Sequence, residues 1–144
     1  MPILSFKQVD VFTARRFYGN PVAVVLGGDE LETAVMQRIA AWTNLSETTF
    51  VLRPTGPTTA YRLRIFTPGM ELPFAGHPTI GSCHAALEAG TVAAGSTRLL
   101  QECGAGEVPL RVESVGATRR IYLTAPVATC EGEYPDRSEE HTSE

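Results

Sequence analysis

The sequence predicts an α+β fold, a curved mixed sheet wrapped around one central buried helix. Three observations predict it. Sixteen consecutive residues, Leu72 to Leu87 (LPFAGHPTIGSCHAAL), contain no Asp, Glu, Lys or Arg, and a helix without a polar face belongs inside a domain. Around that segment lie short runs rich in β-branched and aromatic residues, separated by Gly, Pro, Asn and Asp, which is the pattern of strands and turns. Leu31, Val35, Met36, Ile39 and Ala40 recur at helical spacing with Glu32, Gln37 and Arg38 between them, so a second helix is amphipathic.

In chain order, Ser5–Thr13 and Val22–Leu26 are strand-like and are joined by Ala14–Pro21, where Tyr18-Gly19-Asn20-Pro21 concentrates turn formers. Gly27-Gly28-Asp29 ends the second strand, the amphipathic helix runs over Leu31–Thr43, and Asn44-Leu45-Ser46 closes it. Strands are expected at Glu47–Leu52, Thr59–Phe66, Arg98–Glu102, Val108–Glu113 and Arg119–Thr124, with the buried helix at Pro78–Ala89. Arg62 and Arg64 alternate with Tyr61, Leu63 and Ile65, which assigns the arginines to a wet face. Gly104-Ala105-Gly106 marks a tight hairpin connection. No internal repeat is visible.

Composition bounds the class. With 144 residues, 43% hydrophobic content and a mean hydropathy of −0.02, the chain can form one soluble domain or part of a larger protein. No run approaches the roughly 18 apolar residues of a spanning helix, and MPILSFKQVD lacks the basic leader and apolar region of an export signal, so a cytoplasmic location is expected. The three cysteines, Cys83, Cys103 and Cys130, lack paired spacing, which argues against a disulfide framework or a Cys-rich zinc site. Residues 1–128 carry eleven basic and ten acidic groups, scattered rather than clustered, which leaves no footprint for nucleic acid. Residues 129–144 carry six acidic residues and one Arg without apolar periodicity. They are expected to be disordered or foreign to the fold, and His141 is therefore no site candidate.

Two positions stand out chemically. Gly76-His77-Pro78-Thr79 opens the buried helix, with Pro78 suited to the first helical position. The amides of that first turn then point toward whatever His77 faces, a geometry suited to a carboxylate or an enolate oxygen. A capping or merely satisfied core histidine fits the same four residues. Glu47 stands at the junction of a helix and a strand, and a period of two puts it on one face with Thr49 and Val51. On an interior face its carboxyl is suited to moving protons, and at a strand edge it is simply solvated. His77, Cys83 and His84 offer ligand types for a metal, but no nearby carboxylate completes a set, and Cys83 fits core packing better than nucleophilic work.

Four segments carry a resemblance. YGNPVAVVL at Tyr18–Leu26, NLSETTFVL at Asn44–Leu52, RIFTPGMELPFAGHPTIG at Arg64–Gly81 and QECGAGEVPLRV at Gln101–Val112 resemble, in order, the N-terminal half of the PhzF family of phenazine biosynthesis-like isomerases. The resemblance implies a diaminopimelate epimerase-like fold of two similar α+β domains, of which residues 1–128 form the first and the second is absent from this chain. It implies a cofactor-independent isomerase, with no metal, acting on a small conjugated carboxylic acid, with Glu47 as the catalytic acid/base and His77 as a catalytic residue that hydrogen-bonds the substrate. It assigns Gly76, His77, Pro78 and Thr79 to substrate binding, and Gly76, where related epimerases carry a cysteine, argues against a two-thiol racemase. It also implies a homodimer, no membrane or nucleic-acid partner, and little activity for the chain without its second domain. The alternative reading is a non-catalytic module that binds small acids or self-associates.

Overall fold

In the computed structural model, residues 3–13 and 15–126 are described, and the acidic segment 129–144 lies outside them. Ten elements follow one another as β1 (Ser5–Val11), β2 (Asn20–Leu26), α1 (Thr33–Thr43), β3 (Thr48–Leu52), β4 (Tyr61–Phe66), β5 (Glu71–Leu72), α2 (Gly76–Ala89), β6 (Arg98–Cys103), β7 (Gly106–Val115) and β8 (Thr118–Leu123). The strands form one mixed sheet in the order β1-β2-β3-β4-β6-β7-β8, with the short β5 paired to β4. The β2/β3 and β4/β6 pairs are parallel, and the other pairs are antiparallel.

The sheet curves around α2, which lies against β1, β2, β3, β4 and β8. Alternation along the strands sorts side chains into two cores. Val22, Val24, Val51, Tyr61, Leu63 and Ile65 face α2. Phe50, Leu52 and Phe66 face the other way, onto Met36 and Ala40 of α1, with the Phe50 and Phe66 rings edge to face at 5.6 Å. All five residues of β3 are buried, as a strand covered on both faces requires.

α2 is not enclosed on every side. His77, Ile80, His84 and Glu88 are only partly buried or exposed, and their spacing places them along one stripe. That stripe runs beneath a groove of about 450 Å³ between the two sheet edges, β1 and β8. Polar clasps span it: Lys7 of β1 pairs with Glu88, and Arg119 of β8 donates to His84 Nδ1 at 3.2 Å. The helix that reads as uncharged thus ties both edges through its C-terminal half, His84 to β8 and Glu88 to β1.

Several boundaries differ from expectation, each for a local reason. α2 begins at Gly76 rather than Pro78, because Ala75 is extended (φ −154°, ψ 138°) and its carbonyl accepts the Thr79 N–H at 3.3 Å. Pro78 therefore sits third in the helix, where its missing N–H still costs nothing. α1 begins at Thr33, since a turn closed by the Leu31 N–H on the Gly28 carbonyl (2.9 Å) holds Leu31 outside it. β1 stops at Val11 because Phe12 turns to φ 66°. Arg64 is not on a wet face. It forks onto Glu71 of the unexpected β5 at 2.7 and 2.8 Å and reaches Thr33 at 3.0 Å, and this contact holds the Glu71 carboxyl below its ordinary pKa.

The tightest contact in the inner core is at Gly81. A Cβ there would lie 2.4 Å from Val22 Cγ1 and 2.9 Å from Val11 Cγ2, both buried side chains. Gly81→Ala gains about 1 kcal/mol of helix propensity but incurs overpacking of about 1–3 kcal/mol. The expected outcome is a net loss of stability, read as a lower Tm and a lower denaturant midpoint at unchanged m-value.

Candidate functional site

Glu47 precedes β3 by one residue, and its carbonyl accepts the Ala23 N–H at 3.3 Å, which continues the β2/β3 pairing. Thr49 and Val51 on the same face point at α2, where the Thr49 and Ser82 hydroxyls are 2.7 Å apart. Extended one step along the strand, that face brings the Glu47 carboxylate to the start of α2. There His77 Nδ1 lies 3.0 Å from Glu47 Oε2, and the side chains are only 9% and 18% exposed. The two residues that the sequence singles out thirty positions apart therefore meet in one contact.

The far side of the imidazole settles its protonation pattern. His77 Nε2 lies 2.7 Å from the backbone carbonyl of Asn20. A carbonyl can only accept, so Nε2 carries a hydrogen. Nδ1 is then the nitrogen that meets Glu47 Oε2, at 3.0 Å. The His77 ring is also flanked by Phe12, 6.0 Å away between ring centroids.

A buried polar chain holds the start of α2 in place. The Tyr61 hydroxyl donates to Gln101 Oε1 at 3.1 Å, Gln101 Nε2 donates to Thr79 Oγ1 at 3.2 Å, and the Thr79 hydroxyl donates to the Ala75 carbonyl at 2.8 Å. All three side chains are fully buried. Fully satisfied networks of this kind rigidify what they touch, and this one ties β4 and β6 to the turn that presents His77. Of the four candidate binding residues, Pro78 and Thr79 are buried, with the Thr79 hydroxyl committed inside the domain. Gly76 and His77 stand at the opening, where the first helical turn leaves their amides without intrahelical acceptors. A Cβ on Gly76 would meet only Leu123 Cδ2, at 3.9 Å.

The residues that complete the site without having been singled out in the sequence are Asn20 and Phe12. Asn20 acts through its main chain, which leaves no mark in side-chain chemistry. Its setting in a dense run of turn formers was the one available signal.

The metal and thiol alternatives find no geometry. His77 is engaged by Glu47 and Asn20, while His84 faces Arg119 and Glu88 on the open stripe. Among the described residues no three His, Cys, Asp or Glu side chains converge. Cys83 is fully buried beside Tyr61, and burial pushes its thiol up to about 11. Its thiolate is therefore a negligible fraction near neutrality. Alkylation at pH 8 followed by peptide mass mapping is expected to leave Cys83 unmodified in the native chain and to modify it in denaturant.

Comparison with known proteins places this geometry in a family. The PhzC-PhzF description, phenazine biosynthesis-like protein, matches residues 9–143. Antisense-enhancing sequence 1 of Schizosaccharomyces pombe is 57% identical over 109 residues, covering 76% of this chain and 37% of that protein. Trans-2,3-dihydro-3-hydroxyanthranilate isomerase of Pseudomonas aeruginosa is 43% identical over 127 residues, 88% of this chain and 44% of that protein. The crystal structure of the Bacillus anthracis PhzF family protein has a TM-score of 0.72 at 34% identity, covering 81% of this chain and 38% of the other. The chain thus spans less than half the length of each relative. No helix among the described residues is long and apolar enough to cross a membrane. With the sheet-around-helix fold and matching sequence along nearly its whole length, the chain belongs to the PhzC-PhzF family of phenazine biosynthesis-like proteins.

Proposed function

We propose that the intact protein containing this chain is a cofactor-independent isomerase that moves a proton between carbons of a small conjugated carboxylic acid. The observation that carries this reading is the Glu47–His77 contact, in which a carboxyl and an imidazole meet at 3.0 Å at the mouth of a helix. His77 engages Oε2, so Oε1 is the oxygen left to meet substrate. Glu47 removes a proton from one carbon of the conjugated system and returns it to another, so no proton is gained or lost overall. His77 steadies the charge on Glu47 in each state, its Nε2–H anchored on Asn20. The amides of Gly76 and His77, at the positive end of α2, hold the substrate carboxylate or the charge that develops on it. Pro78 and Thr79 shape that turn from beneath. The Pseudomonas aeruginosa relative named for trans-2,3-dihydro-3-hydroxyanthranilate suggests a small cyclic, unsaturated carboxylic acid as the substrate class.

In this reading residues 1–128 form one wall of a cleft, and a second, similar half supplies the other. Without it the substrate side of the cleft is open to water and substrate positioning is weak, so the 144-residue chain alone is expected to turn over little. The reading also places the intact protein in the cytoplasm as a homodimer, which sedimentation of the complete protein checks. The decisive variant is Glu47→Gln in the complete protein. Deuterium incorporation into a bound unsaturated acid is expected to fall by about 10²–10⁴-fold, while the affinity changes only a few-fold. Incorporation at the parental rate would remove Glu47 from the chemistry.

The exposed aromatic groups Phe17, Tyr18 and Trp42, at 94%, 67% and 83%, favour a second reading as a binding or self-associating module. Binding of a planar carboxylic acid by the complete protein with no deuterium incorporation would select it.

A further inference from the structure

The connection between β1 and β2 is strained. Phe12 and Phe17 both occupy the left-handed region, at φ 66° and 73°, a conformation that side chains of this size rarely adopt. Phe17 gains no burial in return, at 94% exposed, while Phe12, at 44%, packs beside the His77 ring. Gly19 is equally constrained. A Cβ there would lie 2.2 Å from the Val11 carbonyl oxygen and 2.5 Å from Asp10 Oδ1, so the chain closes on itself too tightly for any other residue.

One side chain spans this turn. Oδ2 of Asp10 accepts the Phe17 N–H at 2.8 Å and the Gly19 N–H at 3.3 Å. Other local contacts are the Thr13 hydroxyl with Arg15, the Tyr18 N–H on the Arg15 carbonyl at 3.3 Å and the Arg15 guanidinium over the Tyr18 ring. Gly19 is followed directly by Asn20, whose carbonyl takes the His77 Nε2–H at 2.7 Å. The path is therefore short: Asp10 fixes the amides on either side of Tyr18, Gly19 leads into Asn20 at the start of β2, opposite Val11, and the Asn20 carbonyl meets the His77 Nε2–H.

We propose that Asp10 is a positioning residue of the site: its carboxylate holds Phe17 and Gly19 against the end of β1, and with the Val11–Asn20 pairing this keeps the Asn20 carbonyl where it pins His77 with its hydrogen on Nε2 and turns Nδ1 toward Glu47. Released, the two phenylalanines relax toward ordinary φ values and the carbonyl swings away. His77 then loses its anchor and samples both tautomers, and Glu47 faces a nitrogen of undefined role. The consequence for catalysis rests on the isomerase reading above, whereas the consequence for His77 does not.

The test is nitrogen-15 NMR of the histidine side chains in the complete protein, with His77 assigned through His77→Gln. In the parent, Nε2 is expected to show a hydrogen-bearing shift and a proton protected from exchange. Asp10→Ala is expected to speed that exchange at least tenfold and to give averaged shifts at both nitrogens. Asp10→Asn is expected to keep the parental signal, because both bonds go to a single oxygen that the carboxamide reproduces. Asp29→Ala is the control for destabilisation alone, since Asp29 caps the distant Arg53 N–H at 2.9 Å, and it too is expected to keep the signal. Phe17→Pro probes the same bond from its other end by deleting the amide and forbidding a positive φ, and it should reproduce the Asp10→Ala spectrum even if that variant fails to fold. A protected Nε2–H that survives in Asp10→Ala or Phe17→Pro overturns the proposal, as does an equal loss in Asp29→Ala. Loss of the signal on Asp10→Ala with undiminished deuterium incorporation by the complete Asp10→Ala protein would sustain the positioning of His77 and sink only its place in the isomerase reading.

Discussion

A helix with so few charged residues has to be kept from water, and the rest of this domain follows from how α2 meets that requirement. Its buried side chains are small: Gly81, Ser82, Cys83, Ala85 and Ala86 bring β1, β2, β3 and β4 close on several sides. Small residues on the helix demand large ones on the sheet, which Tyr61, Leu63 and Ile65 supply. A flat sheet cannot reach around a cylinder, so the strands curve, as the right-handed twist of mixed sheets already favours. The outer face this creates is covered by α1 through Met36, Ala40, Phe50 and Phe66. Enclosure ends along His77, Ile80, His84 and Glu88, and the polar chemistry of the helix collects on that stripe.

The candidate site is the rim of this enclosure. The face of β3 that buries Val51 and pairs Thr49 with Ser82 runs out of helix at its N-terminal end, and the next inward side chain is Glu47. The imidazole that meets it is held from three directions, by Glu47, by the Asn20 carbonyl and by the aromatic edge of Phe12. Beneath it, the chain Tyr61–Gln101–Thr79–Ala75 fixes the helix start with every buried polar atom satisfied. A proton-transfer pair needs such support, because displacements of about 1 Å are enough to cost large factors in rate.

Rigid support and strain occupy adjacent parts of the fold. The core side of the site consists of ordinary rotamer-packed strands and a satisfied polar network, whereas its β1–β2 side is a turn with two aromatic residues at positive φ. Strain that gains no burial persists only where neighbouring bonds over-determine it, and the Asp10 carboxylate is the group placed to do so.

Much of this was legible in the residues. The uncharged run Leu72–Leu87 declared the central helix, because burial acts on side chains and leaves its mark in composition, and period-two alternation put Glu47, Thr49 and Val51 on one face, which only the structure turns inward. The PGMELPFAGHPT region likewise showed where the helix opens, although not that it begins at Gly76. That boundary depends on the extended Ala75 and on which carbonyl Thr79 reaches. Arg64 read as a solvent group because alternation marks which face a residue occupies but not what covers that face, and here β5 and α1 cover it. The Asn20 carbonyl and the grip of Asp10 on its turn were hidden for the same reason. Local sequence determines which segments must be buried and in what periodic form they bury, but the choice of main-chain acceptor for His77 arises only when strands distant along the chain are brought side by side.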